Sequence, residues 1–157
     1  WRAVSTTKVR PRLTARWLIE QEACESAIIR FRAAYPRGVI LTRARLLVAA
    51  REGWAVAWLA SQWPLSAEAR PDIIKALVLA WGAYGEAMEP VRRAFSEAMT
   101  WHSYTPIMMA TACRAFDQAA AVVWRTYNEA AAAAFADALG LPTADRWTSK
   151  YLEGHDE

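Results

Sequence analysis

The sequence predicts an all-α protein, in which a small N-terminal layer of short helices packs on a long antiparallel helical hairpin with eleven-residue repeats. An aromatic residue recurs at an eleven-residue step twice, from Tyr84 to Phe95 and from Phe116 to Tyr127. Eleven residues are close to three helical turns, so successive aromatics return to nearly the same face. A break at residues 101–106, which ends in proline, separates the two pairs, and abundant alanine favours helix on both sides of it. The repeats therefore predict two long helices folded back on each other.

Short basic helices are predicted over residues 13–65. Thr14 precedes an apolar Trp-Leu pair and is suited to cap a helix. Pro36 and Gly38 stop the second helix and turn the chain. Residues 1–12 lack an apolar period, so we expect them to be mobile or loosely docked. The predicted elements of this layer are helices at 14–21, 24–35, 43–52 and 55–62 and an extended bridge at 39–41.

The long hairpin is predicted over residues 67–140. Ser66 followed by Ala67 and Glu68 has the pattern of a helix start, and Pro71, which suits a first helical turn, suggests as an alternative that the main helix starts nearer Asp72. Pro90 inside this helix should cause a kink because proline lacks an amide proton. Thr105 and Pro106 suit the cap and the first position of the return helix. Steps of three and four residues define an inward stripe on each helix. The stripes are Leu77, Trp81, Tyr84, Met88, Val91, Phe95 and Met99 on the first helix and Cys113, Phe116, Ala120, Val123, Tyr127, Ala131, Ala134 and Ala138 on the second.

Length and composition favour a single domain over residues 1–157, with a last short helix at 143–152. No apolar stretch approaches the roughly 20 residues that a bilayer span needs, and residues 1–12 are basic and polar without the apolar core of a leader. Two cysteines are too few for a disulfide framework, so we expect a reducing cytoplasm. Cys113 is expected in the core, and for Cys24 a buried apolar role is favoured over a reactive thiol at a helix N-terminus.

Charge is distributed unevenly along the chain. Residues 1–51 carry 11 Lys and Arg against three acidic residues, a net charge of +8, whereas residues 71–157 carry seven against 11, a net charge of −4. A basic N-terminal third on an acidic body suggests an acidic partner, either protein or nucleic acid, and the alternative is an arginine-rich solvated face. The candidate contact residues are Arg30, Arg32, Arg37, Arg43 and Arg45.

Spacings typical of catalytic or metal sites are absent from the sequence. It contains no Glu-x-x-His pair of a di-iron bundle, no Cys-x-x-Cys or His-x-x-x-His pair of a zinc site and no glycine-rich phosphate loop. We therefore expect no enzyme activity, cofactor, metal or catalytic residue. The carboxylates that follow the aromatics by two residues lie about 200° away around a helix and should face water. They are Glu86, Glu97, Asp117 and Glu129.

The predicted tip of the hairpin carries Trp101, His102 and Tyr104. Large aromatic side chains at an exposed turn are candidates for anchoring a partner protein, and the histidine would add pH sensitivity. The alternative is that the tip folds under the short helices, where the rings would belong to the core. We predict these three residues as partner-binding.

Two stretches resemble known sequences. The N-terminal part is similar to a module of uncharacterised phage and prophage proteins, in which a Trp-Leu helix precedes Ala-Cys, Phe-Arg, a turn and a threonine. The aromatic-x-Glu-Ala repeats at Tyr84, Phe95 and Tyr127 are similar to Ala- and Tyr-rich repeats often joined to that module. Glu22 departs from the pattern, which has glycine before Ala-Cys. The matching residues are Trp17-Leu18-Ile19-Glu20, Ala23-Cys24-Glu25, Phe31-Arg32, Tyr35-Pro36-Arg37-Gly38-Val39 and Leu41-Thr42.

The resemblance implies a phage or mobile-element origin and carries no catalytic residues. The leading hypothesis is a non-enzymatic interaction protein that binds a host or phage protein complex through the tip or the basic helices. Its specific version is an inhibitor of a host defence machine such as a CRISPR effector. One alternative is a nucleic-acid-associated protein that uses the N-terminal arginines. Another is a virion or assembly component in which the alanine-rich helix forms a homo-oligomer, and no membrane partner is expected.

Overall fold

The computed structural model describes residues 11–100 and 105–143. The chain divides into two compact units, residues 1–42 and residues 43–157. The predicted all-α class is confirmed in the described residues, where a two-stranded sheet accompanies the helices. The predicted helix at 143–152 falls almost wholly outside them. The elements are β1 (Arg12–Leu13), α1 (Ala15–Glu20), α2 (Glu25–Ala34), β2 (Val39–Ile40), α3 (Arg43–Arg51), α4 (Val56–Gln62), α5 (Ala69–Thr100) and α6 (Pro106–Ala138).

The first unit combines the pair α1 and α2 with the antiparallel sheet of β1 and β2. Thr14 caps α1 as predicted, since its hydroxyl accepts a hydrogen bond from the Trp17 amide at 3.2 Å. Leu18 of α1 and Phe31 of α2 are buried. We expected residues 1–12 to be mobile or loosely docked, and this is wrong for Pro11 and Arg12. The Pro11 carbonyl accepts a hydrogen bond from the Leu41 amide at 2.8 Å, and Arg12 belongs to strand β1. These two residues are held by backbone hydrogen bonds to the β2 region, which the absence of an apolar period in the sequence does not reveal.

Gly38 closes the turn between α2 and β2, and its φ of +76° is a conformation that L side chains rarely adopt. A Cβ atom there would lie 2.7 Å from the Leu13 carbonyl oxygen. We expect Gly38→Ala to destabilise this turn by about 1–3 kcal/mol, which lowers hydrogen-exchange protection of the sheet amides by roughly 10–100-fold. Gly53→Ala is the matched control, because Gly53 has a similar φ of +80° but open space around it. If each variant lost the same protection at the amides beside its own turn, the close approach of Gly38 to the Leu13 carbonyl oxygen would have no effect on stability.

The second unit is built around α6, against which α3, α4 and α5 all pack. The buried residues of α6 lie between Asn128 and Ala136. Ala131 and Ala132 are fully buried there, as their small size predicts for a site where helices approach closely. The short helices α3 and α4 therefore cover the C-terminal half of α6. Among the described helices, none combines the length and the apolar character needed to cross a membrane.

The boundaries of the hairpin helices follow their capping residues. α5 begins at Ala69, between the two predicted starts at Ser66 and near Asp72, and the Ser66 hydroxyl accepts a hydrogen bond from the Ala69 amide at 3.3 Å. The helix is continuous through Pro90. Thr105 caps α6 as predicted, with its hydroxyl accepting from the Met108 amide at 3.4 Å.

The eleven-residue repeat is confirmed as the packing seam between α5 and α6. The rings of Tyr84 and Tyr127 lie 5.8 Å apart, and those of Phe95 and Phe116 lie 4.9 Å apart. The step is eleven residues on both helices, so the two aromatic pairs share one antiparallel register. Each of these four rings is half-buried, which shows that the seam remains partly open to solvent.

Two residues of the predicted inward stripes are exposed. Cys113 was expected in the core but is exposed, and the buried residues of α6 all lie from Asn128 onward. Trp81 is 56% exposed although its ring stacks on Tyr84 at 5.1 Å. The same indole meets the Tyr127 ring edge-on at 5.5 Å, so Trp81 contacts the seam while more than half of it stays exposed.

Candidate functional site

The predicted tip residues Trp101, His102 and Tyr104 lie outside the described residues. The predicted arginines are divided between the units. Arg30, Arg32 and Arg37 are exposed in the first unit, and Arg43 and Arg45 belong to α3 of the second. Their role as a shared contact surface therefore stays a prediction.

Arginines of α3 hold this helix against α6. Arg43 forms an ion pair with Asp137 at 2.5 Å and is only 19% exposed, and Arg51 pairs with Glu129 at 2.9 Å. The prediction that the repeat carboxylates face water is correct for three of them. It is wrong for Glu129, because Arg51 of α3 forms an ion pair with it. Arg43, which we predicted to bind a partner, thus has a partner within its own unit. The three correctly placed carboxylates are Glu86, Glu97 and Asp117.

An open apolar groove runs between α5 and α6 in the half of the hairpin nearest residues 101–104. Its volume is about 330 Å³. Phe95 and Phe116 line it and contact each other across the two helices, and most of the other lining residues are alanines. We call this feature the distal groove. It is lined by Pro90, Val91, Ala94, Phe95 and Ala98 of α5 and by Ala112, Ala115, Phe116 and Ala119 of α6.

The first turn of α6 extends this apolar surface. Ile107, Met108 and Met109 are 76%, 55% and 41% exposed. Met108 precedes Ala112 by four residues and Ala115 by seven, so it lies on the same side of α6 as the groove wall. No function was predicted for this turn, although three consecutive large apolar residues after the Thr105 cap and Pro106 are visible in the sequence.

A cluster of four aromatic rings lies at the other end of the seam. Trp81, Tyr84, Trp124 and Tyr127 have neighbouring ring centroids 5.1–5.9 Å apart. Burial raises the pKa of the Tyr127 hydroxyl above its usual value. The two indoles remain 56% and 36% exposed, so the cluster presents large rings to solvent.

Cys24 lies at the N-terminus of α2 and is exposed, so the expected buried role is wrong. Its sulfur lies 3.4 Å from the Ser26 hydroxyl. Hydrogen bonds from that hydroxyl and from the Ala27 amide lower the pKa of the Cys24 thiol. No second group that would use a thiolate accompanies it among the described contacts of this unit, so the residue does not define a catalytic site.

The described residues contain no group of three or more His, Cys, Asp or Glu side chains arranged to hold a metal ion. Comparison of the chain with protein-family models, curated proteins and solved structures finds no match. The candidate site is therefore defined by geometry alone, and its main features are the distal groove and the exposed first turn of α6.

Proposed function

We propose that this chain is a non-enzymatic protein-interaction protein that binds a partner protein through the distal half of its hairpin. The observation that supports the proposal is the open distal groove. Its walls are small and apolar, and the adjoining first turn of α6 exposes large apolar side chains. Exposed contiguous apolar surface of this kind is typical of protein-interaction sites.

The distribution of burial supports the same surface. In α6 no residue before Asn128 is buried, whereas five residues from Asn128 to Ala136 are. The distal half therefore consists of two helices that cover one face of each other and leave the flanking faces open. Alanine walls let another helix approach closely, and methionines adapt to varied partners. An amphipathic helix of the partner, laid into the groove, is the binding mode that these features favour.

The resemblance to phage and prophage proteins extends this proposal to a phage or prophage origin, with a host or phage protein complex as partner. Inhibition of a host defence machine such as a CRISPR effector is its specific form. The nucleic-acid alternative is less well supported, because Arg43 and Arg51 already pair with acidic residues of α6. The predicted partner-binding residues Trp101, His102 and Tyr104 lie outside the described residues and stay part of the proposal as a prediction from the sequence.

A photocrosslinking side chain at Met108 tests the proposal in cells that contain the natural partner. We expect a discrete heteromeric product from position 108 and none from position 79, because Leu79 is 65% exposed but lies on the side of α5 opposite the seam. Adding Ala115→Asp, which places a charge in the groove wall, should remove the product by leaving a carboxylate to be desolvated.

Unchanged thermal unfolding of the Ala115→Asp variant is the control for folding, since Ala115 is exposed. The proposal is wrong if positions 108 and 79 give the same products, or if the charge in the groove leaves crosslinking at position 108 intact.

A further inference from the structure

Two carboxylates border the side of the distal groove that α5 forms. Glu86 lies four residues before Pro90, and Glu97 lies three residues after Ala94, so these four residues share one row on the helix. Pro90 and Ala94 line the groove, and both glutamates are exposed. Eleven residues of helix span roughly 16 Å, so the two carboxylates stand near the two ends of this side of the groove. We call Glu86 and Glu97 the acidic edge.

The acidic edge has no ion-pair partner in the described part of the chain. Two arginines lie between its carboxylates on α5, and both interact with other groups. Arg93 pairs with Glu89 at 3.8 Å, and Arg92 donates a hydrogen bond to the Gly85 carbonyl at 3.3 Å. The negative charge of the acidic edge is therefore available to a bound partner.

The side of the groove that α6 forms is uncharged. Its lining alanines belong to a longer row of the helix, in which the steps are three and four residues. This row consists of Met108, Ala112, Ala115, Ala119 and Val122. Arg114, the cation next to this row in the sequence, donates to the Ala110 carbonyl at 3.2 Å and to the Thr111 hydroxyl at 3.4 Å on its own helix. The groove thus has one charged edge, and the charge is negative.

The charge of the edge selects the kind of helix that fits the groove. A cationic flank of a bound helix would lie along the acidic edge, whereas an anionic flank would meet like charge there. Charges on the rim of an interface govern the choice of partner and the association rate more than the total affinity. We propose that the distal groove takes an amphipathic helix with cationic residues about three turns apart on one flank, an inference that rests on the proposed function and adds the charge of the partner's helix.

The net charge of the whole chain favours the opposite preference. The chain carries a formal net charge of +3, so long-range attraction favours an acidic ligand over a basic one. A measured preference for a basic helix would therefore report the local acidic edge and not the overall charge.

Two model peptides test the proposal with the full chain. Both have about 18 residues, a length at which an isolated helix is populated, and carry leucine and alanine on one helical face. One peptide has lysines along one flank, and the other has glutamates at the same positions. Fluorescence anisotropy should show the lysine peptide binding about tenfold more tightly at low salt. The difference should shrink in about 0.5 M NaCl, because salt screens exposed charges.

Variants of the chain identify the acidic edge as the source of the preference. Glu97→Lys and Asp117→Lys are matched, since each changes the net charge equally and both acidic residues are exposed. Asp117 lies two residues after Ala115 and so faces away from the groove. We expect Glu97→Lys to weaken binding of the lysine peptide about threefold or more and Asp117→Lys to leave its local preference intact. Adding Glu86→Lys to Glu97→Lys should reverse the preference between the peptides.

Ala115→Gln separates failure of this inference from failure of the proposed function. It places a larger, uncharged polar group in the groove and should weaken binding of both peptides, while thermal unfolding of the variant reports on folding. Absence of peptide binding, or binding that survives Ala115→Gln, would overturn both the groove as a helix site and its charge preference. Binding that Ala115→Gln weakens, but that is equal for the two peptides or tighter for the glutamate peptide, would overturn this inference alone.

Discussion

Replacing Phe135 by alanine is expected to lower the free energy of unfolding by about 3–5 kcal/mol, because the substitution leaves a large cavity in a region that cannot collapse. Phe135 is fully buried in α6, and its ring packs edge-on against Trp63 at a centroid distance of 5.8 Å. The helices α3 and α4 pack on this half of α6, so the cavity would lie among three elements. For a chain of this size the loss corresponds to roughly 6–20 °C in Tm.

Thermal and urea unfolding measure this effect, and Phe116→Ala is the matched control. Phe116 lies on the same helix but is half-buried at the open distal groove. Its removal takes away less buried area and leaves a site that solvent can fill, so we expect a loss of only about 1–2 kcal/mol. If the two phenylalanines cost the same, the two halves of the hairpin do not differ in packing as the structure indicates.

Asn128→Leu is expected to destabilise the second unit by about 2–4 kcal/mol, although it replaces a polar residue in the core by an apolar one. Asn128 is fully buried, and its side-chain oxygen accepts a hydrogen bond from the Ala57 amide at 3.3 Å. Its side-chain nitrogen donates to the Trp124 carbonyl at 3.1 Å. Leucine would leave the Ala57 amide buried and unpaired.

The physical role of Asn128 is to cap α4 from another helix. Ala57 is in the first turn of α4, and Ala55 at the N-cap position has no side-chain hydrogen bond to offer. A cap contributes about 1 kcal/mol on its own, and burial of the orphaned amide adds to the cost. Thr126→Leu is the control, because Thr126 is exposed on the same helix and should change stability by less than about 0.5 kcal/mol.

Hydrogen exchange locates the Asn128 effect. The amides of α4 should lose protection in Asn128→Leu before those of α5 do, because the lost bond belongs to the first turn of α4. A variant as stable as the natural chain, with α4 equally protected, would show that the hydrogen bond does not support the fold.

Much of the fold follows from local signals in the sequence. Thr14 and Thr105 cap the helices for which they were predicted, and the eleven-residue steps bring Tyr84 to Tyr127 and Phe95 to Phe116. Caps depend on neighbours three residues away, and a helical period depends on spacing along the chain alone. Both are therefore visible without tertiary information.

The candidate site was less predictable. Trp81 and Cys113 have the spacing of inward residues, yet both are exposed. Periodicity shows which side of a helix is apolar, but it does not show whether a second helix covers all of that side. The apolar row of Ile74, Val78 and Trp81 flanks the inward stripe and merges with it in the sequence pattern.

The sequence by itself determines that this protein is helical, where its long helices turn back and which aromatics meet across the hairpin, because these depend on residue type and spacing. Only the tertiary structure decides that α3 and α4 cover the C-terminal half of α6 and leave the distal groove open. That choice rests on contacts between residues far apart in the chain, such as Arg51 with Glu129 and Ala57 with Asn128. No local pattern specifies such pairs, because the residues around Glu129 and Asn128 in the sequence do not show which distant side chain or amide will lie beside them.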